Sequence, residues 1–133
     1  MAAFQFELVT PEKLVFSGEV EAVTIPGMEG EFTVFKDHAP VISSMRPGIL
    51  VINQTAAANQ RIYVPGGFAE AAPSGLTILA NQALPLEELN AAKLNADIET
   101  FEDEANAAKT AEEKRAAEEK RDHVIQLKAT LKL

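Results

Sequence analysis

Apolar and polar positions alternate at the start of the chain: Phe4, Phe6 and Leu8 are separated by Gln5 and Glu7. That period predicts a strand with one buried face. Thr10-Pro11-Glu12-Lys13 then turns the chain into Leu14-Val15-Phe16, giving a half-buried hairpin. Further short apolar runs predict strands over 20–25, 31–35, 48–54, 61–64, 68–71 and 76–80. They are punctuated by Ser-Gly, Pro-Gly, Ala-Pro, Pro-Gly-Gly and Pro-Ser-Gly, residues that set turns between strands. Short strands at this spacing, with no helical period among them, predict an antiparallel β-sandwich or flattened barrel over residues 1–85. Pro26-Gly27 and Gly66-Gly67 are expected to supply turns with positive φ rather than a ligand loop.

All seven glycines and all seven prolines lie at or before Pro85. Beyond it the text is rich in Ala, Glu, Lys, Leu and Arg, which are strong helix formers. Leu86, Leu89, Leu94, Ile98, Phe101, Ala105 and Ala108 recur mostly at three- and four-residue steps and line one face of a first helix. Thr110 and Glu113 have capping-box spacing, so a second helix is expected from there to about Leu131. Its apolar face is Ala117, Val124, Leu127 and Leu131. The short link at 106–109 makes the helices antiparallel neighbours, and residues 86–133 read as a helical hairpin. Because alanine buries little area, the hairpin should be weakly stable alone.

Charge narrows the partners. A formal net charge of −8 argues against nucleic acid or direct insertion into anionic lipid, since both need clustered Lys and Arg. The chain has no cysteine, hence no disulfide framework or thiolate metal site. Its first residues lack a basic segment followed by a long apolar run, so neither a signal peptide nor a membrane span is expected. On the second helix, Glu112–Arg115, Glu118–Arg121, Lys114–Glu118 and Arg115–Glu119 have the spacing of intrahelical ion pairs on a solvated face. The alternative is that Lys114, Arg115, Lys120 and Arg121 form a basic stripe for an acidic partner.

Catalytic chemistry is not legible. No Gly-x-x-x-x-Gly-Lys-Ser/Thr loop occurs, and Gly66-Gly67 precedes a strand rather than a helix. His38 and His123 lie in different segments without companions at metal-ligand spacing. Asp37 and His38 are adjacent, so in extended backbone their side chains point apart, and no Ser partner stands out. No cofactor is expected.

A more specific signal runs through residues 17–50. Ser17-Gly18-Glu19-Val20 continues to Ile25-Pro26-Gly27-Met28-Glu29-Gly30-Glu31-Phe32, then Asp37-His38-Ala39-Pro40 and Arg46-Pro47-Gly48-Ile49-Leu50. Gly66-Gly67-Phe68-Ala69-Glu70 and Leu76-Thr77-Ile78-Leu79-Ala80 follow in order. This set resembles the epsilon subunit of F-type ATP synthases, strongly through Ala80 and in architecture beyond. The resemblance implies a β-sandwich of about ten strands followed by an antiparallel two-helix hairpin. It implies a non-catalytic rotor subunit of the proton-translocating synthase, coupling the gamma subunit to the c-ring, with helices that can inhibit ATP hydrolysis by reaching the alpha and beta subunits. It implies a c-ring contact at Glu29, Gly30, Glu31 and His38, a gamma contact at Thr10 and Ser43, and a peripheral site on the cytoplasmic face of a bacterial inner membrane. Family members that bind ATP carry Ile/Leu-Asp-x-x-Arg-Ala, where this chain has Leu86-Glu87-Glu88-Leu89-Asn90-Ala91. The missing Arg leaves no guanidinium for phosphate, so ATP sensing is not expected. Asp37 also stands where the family often has a small or amide residue. A free-standing β-sandwich protein-binding module is the rival reading; it would explain the strands without requiring the ordered motifs.

Overall fold

A computed structural model describes residues 2–55 and 57–133. The chain divides into two compact units, Met1–Leu86 and Glu87–Leu133. In the first, nine strands succeed one another: β1 Phe4–Val9, β2 Leu14–Val20, β3 Ala22–Gly27, β4 Gly30–Val34, β5 Val41–Met45, β6 Gly48–Thr55, β7 Ala58–Val64, β8 Gly67–Ala72 and β9 Gly75–Ala80. A two-residue β10, Leu84–Pro85, closes the unit against β7. The order across the sheet is β10-β7-β6-β3-β5-β8-β9-β1-β2, with β4 on the other side of β3. Its two halves meet at a single residue pair, Gly27 opposite Met45, and they share one core. Phe6, Leu8, Val23, Ile25, Leu50 and Ile78 are fully buried in it, each supplied by the inward phase of an alternating strand. The sandwich is antiparallel except where β1 lies parallel to β9.

Two strands escape the sequence pattern. β5 reads Val-Ile-Ser-Ser-Met and exposes most of its length, so it shows no alternation; its pairing with β8 along all five residues holds it in place. β10 is too short to carry a period. Ser17-Gly18, expected to punctuate, lies inside β2 instead. Pro26-Gly27 likewise ends β3 rather than forming the turn. Gly27 is not at positive φ; a Cβ there would stand 2.7 Å from the Gly30 carbonyl oxygen, so close approach is what demands glycine. Gly30, just past the turn, carries the positive φ, 140°.

The second unit begins with a 3-10 turn at Leu86–Glu88, followed by α1 Ala91–Ala107 and α2 Ala111–Leu131. The first helix thus starts five residues later than its apolar spacing suggests, because Asn90 caps it: the Asn90 side chain accepts from the Lys93 backbone N–H at 2.9 Å. Thr110 caps α2 by accepting from the Glu113 N–H at 3.1 Å. The Glu113 carboxylate reaches back to the N–H of Lys109 at 3.2 Å, one residue before the cap. Leu94, Phe101 and Ala105 of α1 and Ala117 and Val124 of α2 are buried. Sequence reading did not anticipate buried Asp97, whose carboxylate meets Lys93 Nζ at 2.9 Å.

Candidate functional site

The residues assigned to the c-ring lie on two connections. Glu29, Gly30 and Glu31 surround the β3–β4 turn, where both carboxylates are exposed and make no side-chain hydrogen bond or ion pair among the described residues. His38 belongs to the β4–β5 connection. Its Nδ1 lies 2.7 Å from the Ala39 carbonyl oxygen. A carbonyl only accepts, so Nδ1 carries the proton and, in the neutral ring, Nε2 is left as an acceptor. That Nε2 is buried without a partner among the described residues, an arrangement that costs free energy until something donates to it.

Asp37, just before it, adopts left-handed backbone with φ 61°. The physical demand at this position is therefore conformational, and glycine or asparagine meets it better than Asp does. Asp37→Gly is expected to stabilise the sandwich by about 0.5 kcal/mol, the relief of strain exceeding the added chain entropy. A urea melt followed by circular dichroism measures this; a loss of stability would show that the Asp37 side chain makes a contact of its own.

The two residues assigned to gamma differ in availability. Thr10 is buried, and its hydroxyl donates to the Lys13 carbonyl at 3.3 Å, closing the β1–β2 turn. Ser43 is half-buried in β5, and its hydroxyl donates to the Ser44 carbonyl at 3.0 Å. An open groove of about 480 Å³ runs between the β3–β4 turn and β5. It is lined by Met28, Glu29, Gly30 and Phe32 on one side and by Val41 to Ser44 on the other. Residues from both assignments therefore share one surface feature.

Strand register reveals a further feature that sequence reading missed. Ser44 of β5 lies opposite Phe68 of β8, Phe68 opposite Leu79 of β9, Leu79 opposite Val9 of β1, and Val9 opposite Leu14 of β2. Side chains opposite one another in a ladder share a face. Phe68, Leu79 and Leu14 are 57%, 54% and 54% exposed, so an apolar row stays open to solvent across four strands. Ile42, on the β5 edge of this face, is 76% exposed. The available signal was Leu79, an apolar residue in the outward phase of Leu76-Thr77-Ile78-Leu79-Ala80. Thr10 follows Val9 at one end of the row, and Ser43 precedes Ser44 at the other.

The basic stripe of α2 is divided. Lys114 and Arg115 are exposed, whereas Lys120 places its Nζ 5.9 Å from the centre of the Phe101 ring across the hairpin. Arg121 pairs with its neighbour Asp122 at 3.0 Å, not with Glu118. None of the four intrahelical pairs expected from spacing is closed among the described residues. Asn90, where ATP-binding members have Arg, is engaged as the α1 cap. No group of three His, Asp or Glu stands together at metal-binding range among the described residues, and no helix there is long and apolar enough to cross a membrane.

Comparisons with known proteins agree with the fold. A family profile described as "ATP synthase, Delta/Epsilon chain, beta-sandwich domain" matches residues 3–86. The chain is 44% identical over 126 residues to the ATP synthase epsilon chain of Parvibaculum lavamentivorans, covering 95% of this chain and 96% of that one. It is 48% identical over 124 residues to the ATP synthase epsilon chain of Rhodopseudomonas palustris (strain BisB18), covering 92% and 90%. Among solved structures, a chain of the Euglena gracilis mitochondrial ATP synthase shares its fold with a TM-score of 0.74 at 24% identity, over 98% of this chain and 82% of that one. A chain of the Tetrahymena thermophila mitochondrial ATP synthase central stalk and c-ring shares it with a TM-score of 0.69 at 16% identity, over 98% and 96%. On the extent of the profile match and the near full-length identity, the chain belongs to the epsilon-chain family of ATP synthases, non-catalytic central-stalk subunits of that rotary complex.

Proposed function

We propose that this subunit joins the gamma subunit to the c-ring through two surfaces of its sandwich, and that its hairpin restrains ATP hydrolysis. The observation that carries the reading is the apolar row of Phe68, Leu79, Val9 and Leu14 left open on a folded sheet, a surface that a partner covers. Gamma occupies that face, with Thr10 shaping the turn at one end and Ser43 lying at the other. The c-ring meets the β3–β4 turn and the β4–β5 connection. There the unpaired carboxylates of Glu29 and Glu31 face polar or basic loop groups, with the His38 ring shaping the β4–β5 connection beside them. The rigid strand pairing beneath both surfaces suits a part that transmits torque.

Replacing Glu29, Glu31 and His38 together by Ala tests the assignment. The variant is expected to keep gamma at the wild-type ratio in a pull-down and to leave soluble ATPase unchanged, while ATP-driven proton pumping falls by about threefold or more. Loss of gamma from this variant would show that the turn belongs to the gamma contact instead.

For the hairpin, Lys114 and Arg115 are the basic groups presented to an acidic surface of the alpha or beta subunits, with Lys120 and Arg121 partly engaged within the unit. Removing residues 87–133 should therefore raise ATP hydrolysis. The bacterial relatives support a peripheral place on the cytoplasmic face of an inner membrane, held by partners and not by lipid. Fractionating cells after urea stripping of the synthase tests it: retention on bare membranes would count against attachment through partners.

A further inference from the structure

Next to the apolar row, one ladder step away, the same outer face carries a polar one. Glu70 of β8 lies opposite Thr77 of β9, and Thr77 lies opposite Glu7 of β1. The Glu70 and Glu7 backbones therefore sit two strand spacings apart, roughly 10 Å, on either side of Thr77. A groove of about 230 Å³ is formed there, lined by Gln5, Glu7, Glu70, Ser74 and Thr77 among others. No Lys or Arg lines it. Neither Glu7 nor Glu70 makes a side-chain hydrogen bond or ion pair among the described residues.

Burial of the apolar row beneath a partner has an electrostatic consequence. A surface laid over Phe68 and Leu79 also covers the adjoining Glu70 and Glu7 and takes water from both carboxylates. Two unpaired carboxylates on one face cannot both be desolvated without a large penalty, so a partner that buries the apolar row has to bring a cation to the acidic one. The combination fits one occupant chemistry: an amphipathic segment with an apolar seam and a Lys or Arg flanking it, whose head enters the groove between the carboxylates. Arg suits it best, since a planar guanidinium can donate to two carboxylates at once while its stem lies along apolar neighbours.

We propose that Glu7 and Glu70 form an acidic clamp that receives a cationic side chain of the gamma subunit and fixes the register in which gamma lies on the apolar row. This rests on the reading that the row is the gamma face. The clamp acts as a specificity device: the apolar row holds any apolar surface, whereas the carboxylates reject a register that leaves them without a cation.

The test measures association and dissociation of the full-length chain with the catalytic subcomplex that carries gamma, at several salt concentrations. The variants are Glu7→Gln with Glu70→Gln, and separately Phe68→Ser with Leu79→Ser; thermal melts confirm that each remains folded. The Gln pair is expected to slow association about tenfold at low salt and to flatten the salt dependence. The Ser pair is expected to speed dissociation about tenfold with the salt dependence unchanged. If the Gln pair binds as wild type while the Ser pair dissociates faster, the clamp is refuted and the gamma face stands. If neither pair alters binding, the gamma face itself is wrong.

Discussion

Gly67→Ala is expected to destabilise the sandwich by about 3–5 kcal/mol, combining a backbone region that only glycine populates freely with an overlap against a packed strand. Gly67 has φ 141°, and a Cβ built on it would lie 2.2 Å from the Leu79 carbonyl oxygen and 2.8 Å from the Ala80 Cα. Both obstacles are backbone atoms of β9, which cannot swing aside as a side chain can. The residue is also a junction, since it pairs with Ala80 on one side and with Met45 on the other. A shift there disturbs β5, which is held chiefly by β8. For a domain of ordinary stability, near 5–15 kcal/mol, the loss is about a fifth or more of the total. Gly66→Ala is the internal control. Its Cβ would meet Asn81 Nδ2, a movable side-chain atom, at 3.3 Å, so its cost should stay under about 1 kcal/mol. Urea melts of both variants decide the matter, and equal midpoints would contradict the pairing described for β8 and β9.

Sequence reading identified most of the sandwich because β1, β6, β8 and β9 alternate inward and outward along their length and proline or glycine punctuates the connections. It failed where pairing rather than pattern makes the strand. Val41–Met45 is outward-facing along most of its length, so no buried phase marks it, and Leu84–Pro85 is a strand only because Tyr63 and Ile62 lie opposite. The glycine motifs located the turns to within a few residues; the expected positive φ is met at Gly67 but not at Gly27. Gly27 is required by the nearness of Gly30, while positive φ falls at Gly30 and Gly67. At the helices the cap of α2 was legible and that of α1 was not, since Asn90 was read for its missing charge and not for its side-chain acceptor.

Site residues divide along the same line. Glu29, Glu31 and His38, proposed for the c-ring contact, come from the family resemblance, whose motifs fall on a turn and a short connection and so are local in sequence. The apolar row could not, as Val9, Leu14, Phe68 and Leu79 become neighbours only through register between strands distant in sequence. That register also changes the meaning of Thr10. Its hydroxyl closes the β1–β2 turn, so its contribution at a gamma face is to set the position of Val9 and Leu14 rather than to offer a polar group of its own.

Cutting the chain after Leu86 is expected to leave a cooperatively folding sandwich that still captures gamma, whereas residues 87–133 alone should lose most of their helix. The core of the first unit is drawn wholly from positions 4–83, with fully buried Phe, Leu, Ile, Val and Met side chains from both halves of the sheet. The apolar row and the proposed acidic clamp also lie within residues 1–86, on the outer face. Among the described residues the second unit buries Leu89, Leu94, Phe101 and Val124 as its large apolar side chains, with Ala105 and Ala117 as the small ones. At roughly 25 cal/mol per Å² of apolar surface, so few large groups do not offset the entropy of ordering two helices. Isolated helices of these lengths are marginal even with good propensity. Circular dichroism of the two fragments is the measurement: a sigmoidal melt for 1–86, and for 87–133 a helical signal less than half of that expected for the intact helices. In the assembled enzyme the same truncation should retain gamma and release ATP hydrolysis, because a weakly self-stable hairpin is suited to exchange partners. A fragment 87–133 that melts cooperatively would mean that the hairpin is a rigid domain, and unchanged hydrolysis after the cut would place the restraint in another subunit.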